Sequence, residues 1–170
     1  MKHVEVWLWK SKGVVGRIIR AQDWAPVNHV GIRFCAADLY LDVGMRKGCR
    51  LLRTADVEQP KSEKDGAVFK YGFRVSETSY ILMLTKATEL NGRGYDHVGL
   101  LRFLAPMRQA LRTLGITKAS KRRICSSAVE EVLRAGGRAW TSRDVPIERI
   151  TPGSFWASVE KDRTFTTFNA

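Results

Sequence analysis

The stretch VNHVGIRFCAADLYLDV, residues 27–43, predicts the sheet around which the rest of the chain is organised. Val27–Phe34 and Asp38–Val43 have the length and composition of two strands, and the connection Cys35–Ala37 is typical of a hairpin. In each strand, alternate side chains face opposite sides of the sheet. A polar residue inside either strand is therefore held in one direction.

Segments outside the hairpin predict further strands and helices. Further strands are predicted at Val4–Trp9, Cys49–Arg53, Ala67–Phe73 and Ile147–Ile150. Helices are predicted at Val14–Ala21, from the cap Ser76 to a stop at Asn91 and Gly92, from Asp96 past Leu114, from Cys125 to Gly136 and Gly137, and from Thr151 and Pro152 to Val159. The first of these helices carries four apolar residues on one side, Val14, Val15, Ile18 and Ile19.

This order of elements favours an α+β fold, because the strands gather in the first half of the chain and the helices in the second. A length of 170 residues suits one domain with a substantial core. We therefore expect a single domain over residues 1–170, in which residues 160–170 form a frayed tail.

Charge is the unusual bulk property of the chain. Lys and Arg number 29 against 17 Asp and Glu, which gives a formal net charge of +12. Such an excess favours anionic partners, either an acidic substrate or nucleic acid, although a solvated surface is its simpler explanation. We find neither an apolar run of about 20 residues nor a signal peptide, and so expect synthesis in the cytoplasm and no membrane span.

The three cysteines are Cys35, Cys49 and Cys125, and they form no CxxC pair. Neither a zinc site nor a disulfide scaffold is indicated, and no metal or organic cofactor is expected. Cys35 and Cys49 are interpreted as small buried hydrophobic residues. Cys125 differs because it begins a predicted helix two residues after the basic run Lys121, Arg122 and Arg123.

A cysteine at the start of a helix is placed to act as a nucleophile. The helix dipole and neighbouring cations favour the thiolate form of a thiol, and the amides of the first turn can bind an oxyanion. A buried, inert cysteine is the plainer alternative for Cys125.

The general base predicted for this nucleophile is His29, which lies inside a strand where its direction is fixed. The paired strand contributes Asp42, the one carboxylate in LYLDVG, residues 39–44. Hairpin pairing can bring Asp42 to the same face as His29, where it would orient the imidazole. The alternatives are a core histidine bonded to a backbone carbonyl, and an aspartate that caps the turn before Gly44.

Five segments in this order resemble circularly permuted papain-like cysteine hydrolases, the YiiX-like distant relatives of NlpC-type cell-wall hydrolases. They are GVVGRIIRAQDWAPVNHVGI (13–32), DLYLDVGMRKGCRL (38–51), GRGYDHVGLLRF (92–103), RRICSSAVEEVLRAGG (122–137) and ITPGSFWAS (150–158). The resemblance implies a permuted papain-like fold, with an antiparallel sheet from the first half and the nucleophile helix from the second packed against it.

By the same resemblance, Cys125 is the nucleophile, His29 the base and Asp42 the third residue. Further candidates for substrate or oxyanion contact are Asn28, Ser126 and Tyr95. A simpler interpretation is that Tyr95 packs beneath a helix that Asp96 caps. Two departures from the family concern substrate class: Ser127 stands where many members carry glutamate, and an early Gly-Asp-hydrophobic signature is missing.

The function expected from the sequence is a thiol-dependent amidase or peptidase, with bacterial cell-wall peptides as the default substrate of the family. One alternative is an acyltransferase or thioesterase that acts on lipid substrates. Another is a basic nucleic-acid-binding or virion-associated module that keeps the hydrolase fold without turnover. The missing signal peptide leaves room for an intracellular or phage-encoded enzyme.

Overall fold

The computed structural model describes residues 1–11, 13–57, 66–97, 124–161 and 166–168 of the chain. These residues form an antiparallel sheet with the strand order β4-β3-β2-β1-β5-β6. The strands are β1 (Lys2–Ser11), β2 (His29–Phe34), β3 (Leu39–Gly44), β4 (Gly48–Arg53), β5 (Gly66–Val75) and β6 (Thr166–Phe168). The helices within the described ranges are α1 (Val14–Asp23), α2 (Glu77–Leu90), α3 (Cys125–Ala135) and α4 (Pro152–Lys161).

The α+β class and the antiparallel sheet predicted from the sequence are confirmed. So is the hairpin of β2 and β3, whose connection is a single 3₁₀ turn over Cys35–Ala37. Asp38 leaves this turn in the left-handed conformation, with φ 51°, which aspartate tolerates better than most residues. Ile32 then pairs with Leu41, and Arg33 pairs with Tyr40.

This register divides the side chains of the sheet between two faces. One face is apolar and packs against α2 and α3 to form the core. Its central members are Val6, Leu8, Val30, Ile32, Leu41 and Val43. The opposite face carries the aromatic and charged side chains Trp7, Trp9, His29, Tyr40, Asp42 and Arg50. The side-chain directions of His29 and Asp42, two of the three catalytic candidates, are therefore fixed by the alternation along their strands.

The ends of α2 and α3 agree with the sequence prediction. The Ser76 hydroxyl accepts a hydrogen bond from the Ser79 amide at 3.1 Å and so caps α2. At the far end of α3, Gly137 adopts φ 79°, and the amide of Arg138 returns to the Leu133 carbonyl at 3.0 Å. Both helices therefore begin and end where their local sequence favours it.

Two segments differ from the prediction. Ile147–Arg149 forms a 3₁₀ turn, so the strand expected at Ile147–Ile150 is wrong. Pro146 precedes the turn, and the amide of Ile150 closes it on the Ile147 carbonyl at 3.2 Å. The expected frayed tail is also partly ordered, because α4 continues to Lys161 and β6 pairs with β5.

Most of the helix predicted from Asp96 past Leu114 falls outside the described residues. Across the ranges that are described, we find no helix with both the length and the apolar content needed to cross a bilayer.

Gly31 allows the aromatic face of the sheet to close beside His29. A Cβ atom at Gly31 would lie 1.8 Å from the Tyr40 hydroxyl oxygen, which occupies the space above the glycine. Tyr40 is buried, and its hydroxyl accepts a hydrogen bond of 2.8 Å from the Trp9 indole. Glycine at position 31 thus leaves the space in which Tyr40 packs.

Replacing Gly31 with alanine should lower the free energy of unfolding by about 1–3 kcal/mol, because the added methyl group forces Tyr40 to move. Urea denaturation of Gly31→Ala measures this loss. Gly13→Ala is the matched control, since a Cβ there meets no atom within 4 Å. Equal stability of the two variants would contradict the packing described here.

Candidate active site

His29 and Asp42 meet across the β2–β3 hairpin. The Nε2 atom of His29 lies 2.9 Å from Oδ1 of Asp42. The second carboxylate oxygen, Oδ2, accepts a hydrogen bond of 2.8 Å from the Arg50 guanidinium. The structure therefore brings the predicted base and its predicted partner together and adds Arg50 behind them.

Cys125 completes the group from the other half of the chain. Helix α3 packs across β2 and β3, and Cys125 is its first residue, as His29 is the first residue of β2. The Cys125 thiol interacts electrostatically with the His29 ring. Only 5% of Cys125 is exposed. Cys125, His29 and Asp42 thus form one interacting series, in which His29 and Asp42 are hydrogen-bonded.

The start of α3 is held by its own serines. The amide of Ile124 donates to the Ser127 hydroxyl at 3.2 Å, which is the contact that a glutamate at this position makes in a capping box. Ser127 therefore serves a capping role where the resembled family carries glutamate. The buried Ser126 hydroxyl donates to the Ile150 carbonyl at 2.6 Å, so its side chain anchors the start of the helix.

A buried carboxylate fixes the rest of α3. Glu130 is fully buried and accepts hydrogen bonds from Arg134 at 2.8 Å, from the Trp140 amide at 3.2 Å and from the Thr141 hydroxyl at 3.2 Å. A buried charge is tolerated only with such partners. The network ties α3 to the segment that follows it.

Asn28, a candidate for substrate contact, instead connects β1 to β2. Its side chain accepts from the Ser11 amide at 2.8 Å and donates to the Ser11 hydroxyl at 2.7 Å. Gly16 of α1 packs directly against it, because a Cβ there would lie 1.9 Å from the Asn28 amide nitrogen. Asn28 thus positions the start of β2, and with it His29.

Tyr95 lies close enough to Cys125 for their charges to interact. Burial, then the charge at Cys125 and that of Asp96, raise the pKa of the Tyr95 hydroxyl well above its ordinary value. Tyr95 is almost fully buried. It therefore remains an O–H donor at any physiological pH, and its candidacy for oxyanion contact stands.

The charges of the series change the pKa values of His29 and Asp42 in opposite directions. Burial alone would lower the pKa of His29, but the interaction with negative charge at Cys125 and the hydrogen bond to Asp42 raise it to about 10. Burial alone would raise the pKa of Asp42, but His29 and then Arg50 lower it to about 2. His29 is therefore held as an imidazolium, and Asp42 as a carboxylate.

These shifts set the pH range in which the pair stabilises the fold. The stability that comes from His29 is complete below its unfolded pKa of 6.5 and is lost as the pH rises through about 10. The stability that comes from Asp42 is present above 3.8 and is lost as the pH falls through about 2. Between pH 3.8 and pH 6.5, His29 and Asp42 both contribute their full stabilisation to the fold.

A second group of polar side chains lies at the other end of β1. One ligand atom from each of His3, Glu5 and Cys35 lies within 4.8 Å of the others. The Glu5 carboxylate already accepts from Trp7 at 2.8 Å, and burial and the Glu5 charge raise the pKa of Cys35 to about 11. A thiol of high pKa is a poor metal ligand, and we assign no metal to this group.

No protein-family model and no curated protein matches this chain. The interpretation of the site therefore depends on its geometry and on the resemblance of its motifs.

Arg50 is the main member of the site that the sequence interpretation missed. It stands opposite Asp42 in the register of β3 against β4. A cross-strand pair of opposite charges was a usable signal, but it required the length of the turn between Gly44 and Gly48 to be known. Trp9 and Tyr40 were missed for the same reason, because their contact depends on the pairing of strands.

Replacing Asp42 with asparagine should lower the free energy of unfolding at pH 7 by about 2 kcal/mol, since the carboxylate loses both His29 and Arg50. The difference from the unmodified protein should shrink as the pH falls from about 4 to about 2. Urea denaturation over this pH range measures it.

Asp38→Asn is the matched control for this measurement, because Asp38 is 62% exposed and its ion pair with Arg33 spans 3.6 Å. An exposed pair of this kind contributes little to stability. A stability difference for Asp42→Asn that is constant down to pH 2 would contradict the pKa assigned to Asp42.

Proposed function

We propose that this protein is a thiol-dependent hydrolase or acyl-transfer enzyme, with Cys125 as nucleophile, His29 as general base and acid, and Asp42 as the residue that orients His29. The observation that carries the proposal is the series in which Cys125 interacts with His29 and His29 is hydrogen-bonded to Asp42. A nucleophile, a base in contact with it and a third group that fixes the base are the parts that covalent catalysis requires.

The reaction starts from a thiolate–imidazolium pair, in which the proton of the Cys125 thiol already resides on His29. The thiolate adds to the carbonyl carbon of the substrate, and the carbonyl oxygen becomes an oxyanion. As the tetrahedral intermediate collapses, the imidazolium donates its proton to the leaving amine, alcohol or thiol. An acyl group then remains on the sulfur of Cys125.

A second half-reaction releases the acyl group. His29 removes a proton from water or another acceptor, which attacks the acyl carbon, and the thiol of Cys125 leaves with that proton. Asp42 stays ionised throughout and stabilises the imidazolium that forms in each half. Arg50 holds the other oxygen of the carboxylate and keeps it aimed at His29.

The oxyanion is formed beside the N-terminus of α3. The first amides of an α-helix have no acceptor within the helix and point toward negative charge at its start. The protonated hydroxyl of Tyr95 interacts electrostatically with Cys125, the first residue of this helix. We assign oxyanion stabilisation to the amides of the first turn of α3, assisted by Tyr95.

The resemblance to permuted papain-like hydrolases supports both the fold and the substrate class of this proposal. In that arrangement the base and the acid precede the nucleophile, as His29 and Asp42 precede Cys125 here. An amide bond, with cell-wall peptides as the family default, is the substrate that the resemblance favours. An ester or thioester of an acyl chain is the second candidate, because the same two half-reactions cleave it.

Labelling by iodoacetamide at neutral pH should be rapid at Cys125 and absent from Cys125→Ala. His29→Gln should slow labelling at least about tenfold, because the thiolate loses its cationic partner. Mass spectrometry of the intact protein follows both rates.

The control for labelling is Cys35→Ser, which should react like the unmodified protein because the high pKa of Cys35 leaves little thiolate at neutral pH. Equal labelling of Cys125→Ala and the unmodified protein would contradict the assignment of Cys125 as the nucleophile.

An acyl-enzyme should accumulate on Cys125 when the protein is mixed with a panel of peptide anilides, acyl esters and acyl thioesters. Tyr95→Phe should lower kcat about tenfold or more with little change in KM, because its hydroxyl would act mainly in the transition state. Steady-state kinetics on the best substrate measure this effect.

Tyr80→Phe is the control for Tyr95, because the Tyr80 hydroxyl accepts from the Ala37 amide at 3.0 Å, beyond the opposite end of β2. Its kcat should equal that of the unmodified protein. Failure of the whole panel to acylate Cys125 would count against the proposed function.

A further inference from the structure

Helix α1 packs against the rest of the domain through its polar side. Gly16 packs against Asn28, and Asp23 accepts a hydrogen bond of 3.1 Å from the Gly153 amide at the start of α4. Arg20 donates to the Ser11 carbonyl. Gly16 and Asp23 lie on one side of the helix at the spacing of an α-helix, so this side faces the domain.

The apolar side of α1 consequently faces solvent. The sequence predicts an apolar side for this helix, and such a side normally packs against the core. Here three of its members are exposed together with the tryptophan that ends the helix. The exposed fractions are 73% for Val14, 39% for Val15, 45% for Ile18 and 95% for Trp24. The usual orientation of an amphipathic helix is thus reversed.

Trp24 ends α1 in a conformation that tryptophan seldom adopts. Its φ is 51° and its ψ is 35°, in the left-handed region that glycine or asparagine normally occupies at a helix end. Its indole makes this end of the helix apolar at the most exposed position of the segment. Tryptophan is also the side chain that membrane interfaces favour, since its ring is apolar and its N–H is polar.

The charges around this apolar face are mainly positive. Between residues 10 and 24 the sequence has four basic residues and one acidic residue, Asp23. Asp23 is turned inward to Gly153, whereas Arg17 is exposed beside the apolar side. The whole chain carries +12. An apolar face flanked by basic residues matches an anionic lipid surface.

Other occupants fit this face less well. Four partly exposed side chains offer less than the roughly 800 Å² per partner that a stable dimer buries. Valine and isoleucine provide neither stacking surfaces nor hydrogen bonds for nucleic acid. A lipid surface requires no minimum interface, because apolar burial and charge attraction add together.

We propose that α1 is a membrane-surface docking helix, which inserts Val14, Ile18 and Trp24 among the headgroups of anionic lipids. Because Gly16 of α1 packs on Asn28, next to His29, docking would hold the Cys125 site near the lipid surface. The inference does not depend on catalysis. With the proposed function, it favours acyl chains or other membrane-associated substrates.

Sedimentation with large unilamellar vesicles tests this proposal on the full chain. The protein should bind vesicles of phosphatidylcholine containing a quarter phosphatidylglycerol, and should bind pure phosphatidylcholine more weakly. The double variant Val14→Ser/Ile18→Ser should lower the apparent partition coefficient at least about tenfold, since burial of each aliphatic side chain is worth about that factor. Arg17→Glu should weaken binding to the anionic vesicles only.

The matched control is the double variant Ile81→Ser/Leu82→Ser, whose side chains are 56% and 49% exposed on α2. It should bind vesicles like the unmodified protein. Tryptophan emission should shift to the blue when vesicles are added, and Trp24→Ala should lose this shift.

Absence of binding to both vesicle types, or an equal loss in the α2 control, would overturn the proposal. Self-association detected by light scattering and abolished by Val14→Ser/Ile18→Ser, without vesicle binding, would assign the face to a second copy and overturn it as well. Cys125→Ala should bind vesicles unchanged, so a failure of docking and a failure of the catalytic proposal are distinguishable.

Discussion

The register of β2 against β3 is the constraint on which the candidate site depends. His29 and Asp42 share a face only because Ile32 pairs with Leu41 and the strands alternate from there. A slip by one residue would turn Asp42 into the apolar core and leave His29 without its partner. The 3₁₀ turn at Cys35–Ala37 and the space above Gly31 that Tyr40 fills both favour the observed pairing.

Cys125, the proposed nucleophile, is positioned by a separate set of contacts. Ser126 and Ser127 hold the start of α3, and the buried Glu130 holds its body. These contacts are made within the second half of the chain, so α3 arrives at the sheet as a defined unit. The candidate site is thus the junction of two parts held by different contacts, a hairpin that carries His29 and Asp42 and a helix that carries Cys125.

Local sequence was sufficient to predict most of the elements. The alternation of strands, the cap at Ser76 and the glycines after α3 act over a few residues, and the structure agrees with each of them. The error at Ile147–Ile150 arose because an apolar pair in a short segment suits a strand and a 3₁₀ turn equally well. The contacts of Arg50, Tyr40 and Asn28 could not be predicted, because each joins strands whose register is decided by tertiary packing.

The order of the strands has a consequence for how the protein is made. Strands β4, β3, β2 and β1 are neighbours both along the chain and in the sheet, so their pairing closes only short loops. During synthesis, this half of the sheet can form while α3 is still inside the ribosome. His29 and Asp42 are therefore brought together first, and Cys125 emerges onto a surface that is ready to receive it. A nascent chain built in this order completes the candidate site only when folding is nearly finished.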